Sequence, residues 1–366
     1  SKTDLYDLLR QQTLRIDSHD QEQQMEVIRY FVRACNLRIA ASEITGRLTL
    51  MEASDQLTWT AEVVVEHVAN VAWDQMAAKY GIPAPAMDKT YDGATPGFIV
   101  VAYGKVGGLE MGYKSDLDLV FLHDDLSGET TGGPRSVDSS TFFARLGQRI
   151  IHLLSTSTHA GMAYEIDMRL RPSGNSGMLV SSLSSFEKYQ QQSAWTWEHQ
   201  ALVRSRVIAG DKITAESFNV IRINQLRTKR NTEKLRDDVA EMRIKMRKHL
   251  DKSTKEGKYC LKQASGGIVD IEFMVQFAVL AWSHKSEALV QWTDTVRLLE
   301  TMSNTDVISE QQAQQLIEAY KIFRSAAHDL QLQNQPAEVL LSKFTEQREA
   351  VRLCWQSFLS NHKQED

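Results

Sequence analysis

Phe98-Ile-Val-Val-Ala-Tyr-Gly-Lys-Val-Gly-Gly-Leu-Glu-Met-Gly-Tyr-Lys-Ser-Asp-Leu-Asp-Leu-Val-Phe-Leu122 is the stretch that decides the fold. An apolar strand runs into a glycine turn, and a second strand opens with Asp116 and Asp118. Residues two apart on a strand share a face, so the two carboxylates project together and Leu117, Leu119 and Phe121 project to the other side. Carboxylates side by side repel unless a cation sits between them. Magnesium suits the pair, because it is a hard ion held by one or two carboxylates and phosphate oxygens. The neighbouring glycines let backbone approach a polyphosphate closely.

A third acid lies downstream. Ala163-Tyr-Glu-Ile-Asp-Met-Arg-Leu-Arg-Pro172 alternates, with Tyr164, Ile166, Met168 and Leu170 apolar and Glu165, Asp167, Arg169 and Arg171 charged. This pattern predicts a strand of the same sheet with Asp167 facing the same ions. Two metals about 4 Å apart there suit an in-line phosphoryl displacement.

Gly-Gly, then Ser-Asp-Leu-Asp, then a later strand Asp resembles the nucleotidyltransferase superfamily of the DNA polymerase β type. Four blocks narrow the resemblance: Gly104–Glu110, Asp167–Leu179, Ala194–Arg204 and Gly266–Phe273. Together they resemble the bacterial glutamine synthetase adenylyltransferase/deadenylylase family, and Ala194-Trp-Thr-Trp-Glu-His-Gln200 resembles its C-terminal, adenylylating half. The resemblance implies an α+β fold, a polymerase-β-like mixed sheet flanked by helices and followed by an all-α helical bundle. It implies ATP as substrate and two Mg²⁺ on Asp116, Asp118 and Asp167, which act as metal ligands and catalytic groups. It implies nucleotide contacts from Gly107, Gly108, Ser115, Lys105, Arg169 and Arg171. Glutamine synthetase is the implied protein substrate, modified on a tyrosine, with the signal protein PII and glutamine as regulators. Phosphorolytic removal of AMP by the sibling half, and a catalytically silent module binding PII and glutamine, are the alternatives.

The bulk composition agrees with a globular protein. The 366 residues are 42% hydrophobic and 24% charged, with a formal net charge of −5. Such a balance disfavours nucleic acid as the main partner, since phosphate backbones select a basic footprint. Three widely spaced cysteines offer no zinc spacing and suit a reducing compartment. With no apolar run long enough to span a membrane, no membrane association is expected and the cytoplasm is the expected location. No internal repeat is visible; the resemblance, to a family with two related halves, implies that the repeat partner of this sheet lies outside the chain.

Three regions are expected: an N-terminal helical segment over 1–88 packing on the catalytic domain, a nucleotidyltransferase domain over 89–210, and a helical bundle over 211–366. Met25, Ile28, Phe31 and Val32 fit a helical period, and 60–78 reads as another helix. Residues 142–155 read as a helix between the acid-bearing segments, and the polar, glycine-containing 123–140 as an exposed, mobile loop. After Gly210 only helical periods remain.

Several residues admit two readings. Lys105 either pairs with triphosphate or lies on the surface. Arg169 and Arg171 either bind phosphate bidentately or balance Asp167 and Glu165. Trp195 and Trp197 read as core packing rather than base stacking. Glu198 and His199 could form an acid/base pair, with no third group to orient them, and His152 reads as structural. Asp270 and Glu272 complement a helix N-terminus.

Overall fold

The structure, a computed structural model, describes residues 1–17, 20–250 and 257–359. It divides into two compact units, one of residues 1–194 and 204–222, the other of residues 195–203 and 223–366.

The first unit opens with three helices, α1 (Lys2–Thr13), α2 (Gln21–Ile44) and α3 (Leu50–Tyr80). Capping boxes start two of them, Ser1 with Asp4 and Thr49 with Glu52. The predicted helix over 60–78 is the later part of α3. Then follow β1 (Gly81–Pro83), α4 (Pro85–Asp88), β2 (Phe98–Ala102), α5 (Gly104–Gly107), β3 (Leu117–His123), β4 (Thr130–Gly132) and α6 (Ser139–Ser155). The unit continues with β5 (Ile166–Asp167), β6 (Val180–Ser182), α7 (Leu183–Gln192) and β7 (Arg206–Gly210).

The main sheet has the order β5-β3-β2-β7, with β6 pairing β3 as well. It is mixed: β3 runs antiparallel to β2 and parallel to β5 and β6. Every residue of β2 is buried, and so are Leu117, Leu119 and Phe121 of β3. Burial of side chains this size stabilises by roughly 1.5–3 kcal/mol each. Phe98, Val100 and Ala102 of β2 join Leu117, Leu119 and Phe121 in a core built from α3 and α6, where Trp73 meets Phe142 edge-on at 5.3 Å. That covered face leaves the alternate residues of β3, Asp118 among them, on the opposite side.

Residues 123–140 are mostly exposed, as expected, but they are not loop throughout. β4 lies within them and pairs antiparallel with β1, and Leu126, Thr130 and Ser139 are buried. The backbones meet at two glycines; a Cβ on Gly133 would lie 2.0 Å from the Gly81 nitrogen. Polar composition hid a short ladder.

The second unit holds α8 (Thr196–Val203), α10 (Thr232–Leu250), α11 (Ile268–Trp282), α12 (Thr295–Asn304), α13 (Glu310–Leu332) and α14 (Thr345–Leu359). The helix α9 (Lys212–Leu226) spans the division between Arg222 and Ile223. The unit is mainly helical, as its periodicity predicts, and α11 is buried along nearly all its length. It also contains a two-stranded ladder, β8 (Lys258–Cys260) with β9 (Glu338–Leu340). Strands of three residues are too short for a readable alternation.

Candidate active site

β3 and β5 are parallel neighbours in a register that sets Leu117 beside Ile166 and Asp118 beside Asp167. Directly paired residues on adjacent strands point to the same face, so Asp118 and Asp167 stand side by side. Asp116 precedes the first residue of β3 and reaches the same place. Each of the three can offer a carboxylate oxygen such that these atoms lie within 4.8 Å of one another. Asp116 is exposed, and Asp118 and Asp167 are half-buried. The structure thus brings together the three acids that the alternation singled out.

Gly104 shapes this cluster. Its φ is +54°, and a Cβ there would lie 2.1 Å from Oδ2 of Asp118. Only glycine leaves that oxygen accessible at this distance. A hard, oxygen-only donor set with a cradle that a methyl group would fill fits a divalent cation such as Mg²⁺.

Gly107 and Gly108, expected to let backbone approach a polyphosphate, are surrounded by protein instead. Both are buried. A Cβ on Gly107 would lie 2.0 Å from the carbonyl oxygen of Arg204, and one on Gly108 would lie 2.7 Å from the Arg204 guanidinium. Their N–H groups are spent within the α5 turn, Gly107 donating to the Tyr103 carbonyl and Gly108 to that of Gly104. The absent side chains make room for Arg204, which is itself paired with buried Glu110. Arg206 adds a second clamp, donating to the carbonyls of Val106 (2.8 Å) and Gly107 (3.0 Å) and pairing with Glu62. Arg204 and Arg206, absent from the sequence-based set, lock the turn onto β7 and α3. Their place in the Ala194–Arg204 block and just beyond it was the only signal.

Lys105 sits half-buried in the first turn of α5, and its carbonyl accepts from the Glu110 N–H at 2.8 Å. Ser115 accepts from the Gly112 N–H at 2.9 Å and shapes the loop entering β3. A cleft of about 500 Å³ opens here, lined by Tyr113, Lys114, Ser115, Asp116 and Glu165 with apolar neighbours. It meets the acidic cluster through Asp116 alone among the three aspartates.

The two arginines separate. The strand alternation stops at Asp167, and Arg169 and Leu170 lie in a turn. Arg169 donates from Nε to both oxygens of Asp167, at 3.0 and 2.7 Å, and its backbone N–H donates to Oδ1 at 2.8 Å. This hydrogen bonding holds the Asp167 carboxyl below its ordinary value and pushes Arg169 up. Arg171 instead donates to the carbonyls of Met168, Asn175 and Gly177 in its own loop. The shared charged face expected of Asp167, Arg169 and Arg171 therefore ends at the first of them. Ser173, at φ +62°, and Gly174, at φ +54°, fold the chain back after Pro172.

The remaining candidates have structural partners. Trp195 and Trp197 are 71% and 37% exposed, so core packing does not account for them. Glu198 is buried and accepts from the Trp195 N–H at 2.9 Å, and His199 bonds Gln225 at 3.0 Å. His152 bonds Thr156 within a turn of its own helix. Asp270 does more than complement a helix end. It is 1% exposed, pairs with the fully buried Arg243 at 2.6 Å and with Arg247 at 3.0 Å, and accepts from the Gly266 N–H at 2.7 Å. Glu272 faces the Tyr320 hydroxyl at 3.5 Å.

A mixed sheet with one acid just before a strand, a second on that strand and a third on its parallel neighbour, with a glycine turn alongside, is the arrangement of a nucleotidyltransferase. The profile of the glutamate–ammonia ligase adenylyltransferase family matches residues 3–221. This chain belongs to that family. The profile of the PII-uridylyltransferase matches residues 233–357. Two Pseudomonas proteins and one from Hahella chejuensis, each named bifunctional glutamine synthetase adenylyltransferase/adenylyl-removing enzyme, align along nearly the whole chain. The Pseudomonas putida protein is 50% identical over 95% of this chain and 36% of its own length. The Pseudomonas syringae pv. tomato protein is 49% identical over 95% and 36%, and the Hahella protein 48% over 97% and 37%. The chain therefore spans little more than a third of the curated relatives it matches. Among the described residues no helix is long and apolar enough to cross a membrane.

Proposed function

We propose that this chain transfers AMP from ATP to a tyrosine of glutamine synthetase and releases pyrophosphate. The observation that carries the reading is the convergence of Asp116, Asp118 and Asp167 within 4.8 Å in a chain of this family. The relatives' name joins adenylyl transfer to adenylyl removal, and resemblance of the Trp195–Gln200 block to the adenylylating half favours addition.

Asp116, Asp118 and Asp167 hold Mg²⁺ on this reading, with Gly104 leaving room at Asp118. The bound ion supplies charge neutralisation for the phosphates and lowers the pKa of a hydroxyl beside it. ATP lies along the α5 turn, with Lys105, Ser115 and Arg169 within its reach and Gly107, Gly108 and Arg171 keeping the surrounding backbone in shape. The tyrosine oxygen forms a bond to the α-phosphorus and the bond to the β-phosphate oxygen breaks. Asp167 accepts the phenol proton at a carboxylate oxygen. Positioning and electrostatics carry most of phosphoryl transfer in general. The second unit, similar to a protein that acts on PII, is the proposed site of PII regulation, with glutamine as the second regulator. A cytoplasmic setting belongs to the same proposal and suits the three free cysteines.

The test uses α-labelled ATP. The chain should label unmodified glutamine synthetase in a Mg²⁺-dependent way, and Asp118→Asn should lower the rate by ~100-fold or more with circular dichroism unchanged. In a second tube, adenylylated glutamine synthetase and phosphate should release no ADP beyond the Asp118→Asn control. ADP release there without forward labelling assigns the removing reaction instead. Neither reaction, with PII binding intact, assigns a regulatory module.

A further inference from the structure

We infer that Arg169 is an exchangeable occupant of Asp167, competing with the divalent cation for this carboxylate and passing to the nucleotide's phosphates when cation and nucleotide are both bound. The inference rests on the reading of Asp116, Asp118 and Asp167 as a cation site. Both Asp167 oxygens accept from Arg169: Oδ1 from the backbone N–H at 2.8 Å and from Nε at 3.0 Å, Oδ2 from Nε at 2.7 Å and from the terminal nitrogen. A cation that takes an Asp167 oxygen must take one that the guanidinium already holds. Two positive charges on one carboxylate repel, so the guanidinium gives way.

The side chain is free to do so. Arg169 is 74% exposed while Asp167 is 13% exposed, so the guanidinium approaches from solvent and leaves toward it. A guanidinium open to water on its outer side is screened there and exchanges readily. The planar fork that fits a carboxylate fits a phosphate equally well. Arg171 is built for the opposite task. Its three carbonyl acceptors, on Met168, Asn175 and Gly177, fasten it to the loop and fix the turn from which Arg169 projects. One arginine anchors and the other exchanges.

The experiment measures binding rather than turnover. Mn²⁺ is titrated by electron paramagnetic resonance into the whole chain, first alone and then, at saturating Mn²⁺, with α,β-methylene-ATP monitored by calorimetry. Arg169→Ala should bind Mn²⁺ alone several-fold more tightly than the parent and the analogue ~10-fold more weakly, since one charge-assisted contact is lost. Arg169→Lys, which keeps the charge and loses the fork, should lie between them in both titrations. Unchanged or weaker Mn²⁺ binding by Arg169→Ala overturns the competition, and unchanged analogue binding overturns the transfer to phosphate. An Arg169→Lys titration identical to the parent reduces the effect to charge alone and also overturns it. Asp118→Asn separates the two readings: if parent and Asp118→Asn bind Mn²⁺ alike, the cation site itself is wrong and both fall.

Discussion

Gly104 is the residue at which local backbone and chemistry meet. Its left-handed φ and the 2.1 Å separation between a hypothetical Cβ and Asp118 Oδ2 leave no room for a side chain. Gly104→Ala combines backbone strain with displacement of the carboxylate. It should cost ~1–2 kcal/mol of stability and lower labelling of glutamine synthetase by more than tenfold, read from urea unfolding beside the transfer assay. The run Gly104-Lys-Val-Gly-Gly108 announced a close approach of backbone to something. It did not say to what. Gly107 and Gly108 yield their space to Arg204, nearly a hundred residues on in the chain, and local sequence carries no mark of that contact. Arg169 and Arg171 illustrate the same limit. Alternation placed both on one charged face, but the strand ends at Asp167 and the turn that follows sends their guanidinium groups to different partners.

At the scale of elements, α10 and α11 are tied by a buried ion pair. Arg243 is 0% exposed and Asp270 1% exposed, and Asp270 also receives Arg247 and the Gly266 N–H. Removing one partner strands a buried charge. Asp270→Ala should therefore destabilise the second unit by ~3–5 kcal/mol, visible as a lower unfolding midpoint in urea. A loss below ~1 kcal/mol would mean that Arg243 reaches solvent. Local pattern shows both helices, α10 by its apolar stripe at 3.6 residues and α11 by a long apolar run. The pair itself joins residues 27 positions apart and depends on how the helices pack. The short strands β4, β8 and β9 escaped the same reading, since three residues cannot display a period.

The first unit as a whole carries two histidines that it keeps neutral. Burial lowers His67, on α3, to about 4, and lowers His123, at the end of β3, to about 4. His123 stacks on Phe143 with ring centroids 4.3 Å apart. Both folded values lie below the ordinary 6.5, so the unfolded chain binds more protons as the medium acidifies. Their stabilising contribution is complete above pH 6.5 and is lost as pH falls from there toward 4, at a limit of ~1.4 kcal/mol per pH unit for each. Urea unfolding at pH 7 and pH 5 should show the loss, and His123→Gln should reduce it. A stability that is flat over this range would show that neither histidine is held neutral.

What the amino-acid order determined by itself is whatever a few consecutive residues can express. The strand around Asp116 and Asp118, the helical stripes on either side, and the alternation around Asp167 all rest on backbone periods of 2.0 and 3.6, which need no distant partner. The tertiary structure decided which of these features met. Parallel pairing of β3 with β5 sets Asp118 beside Asp167 across 49 positions of chain. Arg204 and Arg206 return to hold the α5 turn, and Arg169 rather than Arg171 reaches Asp167. These contacts come from register and close packing between segments far apart in the chain, which composition and local pattern leave open.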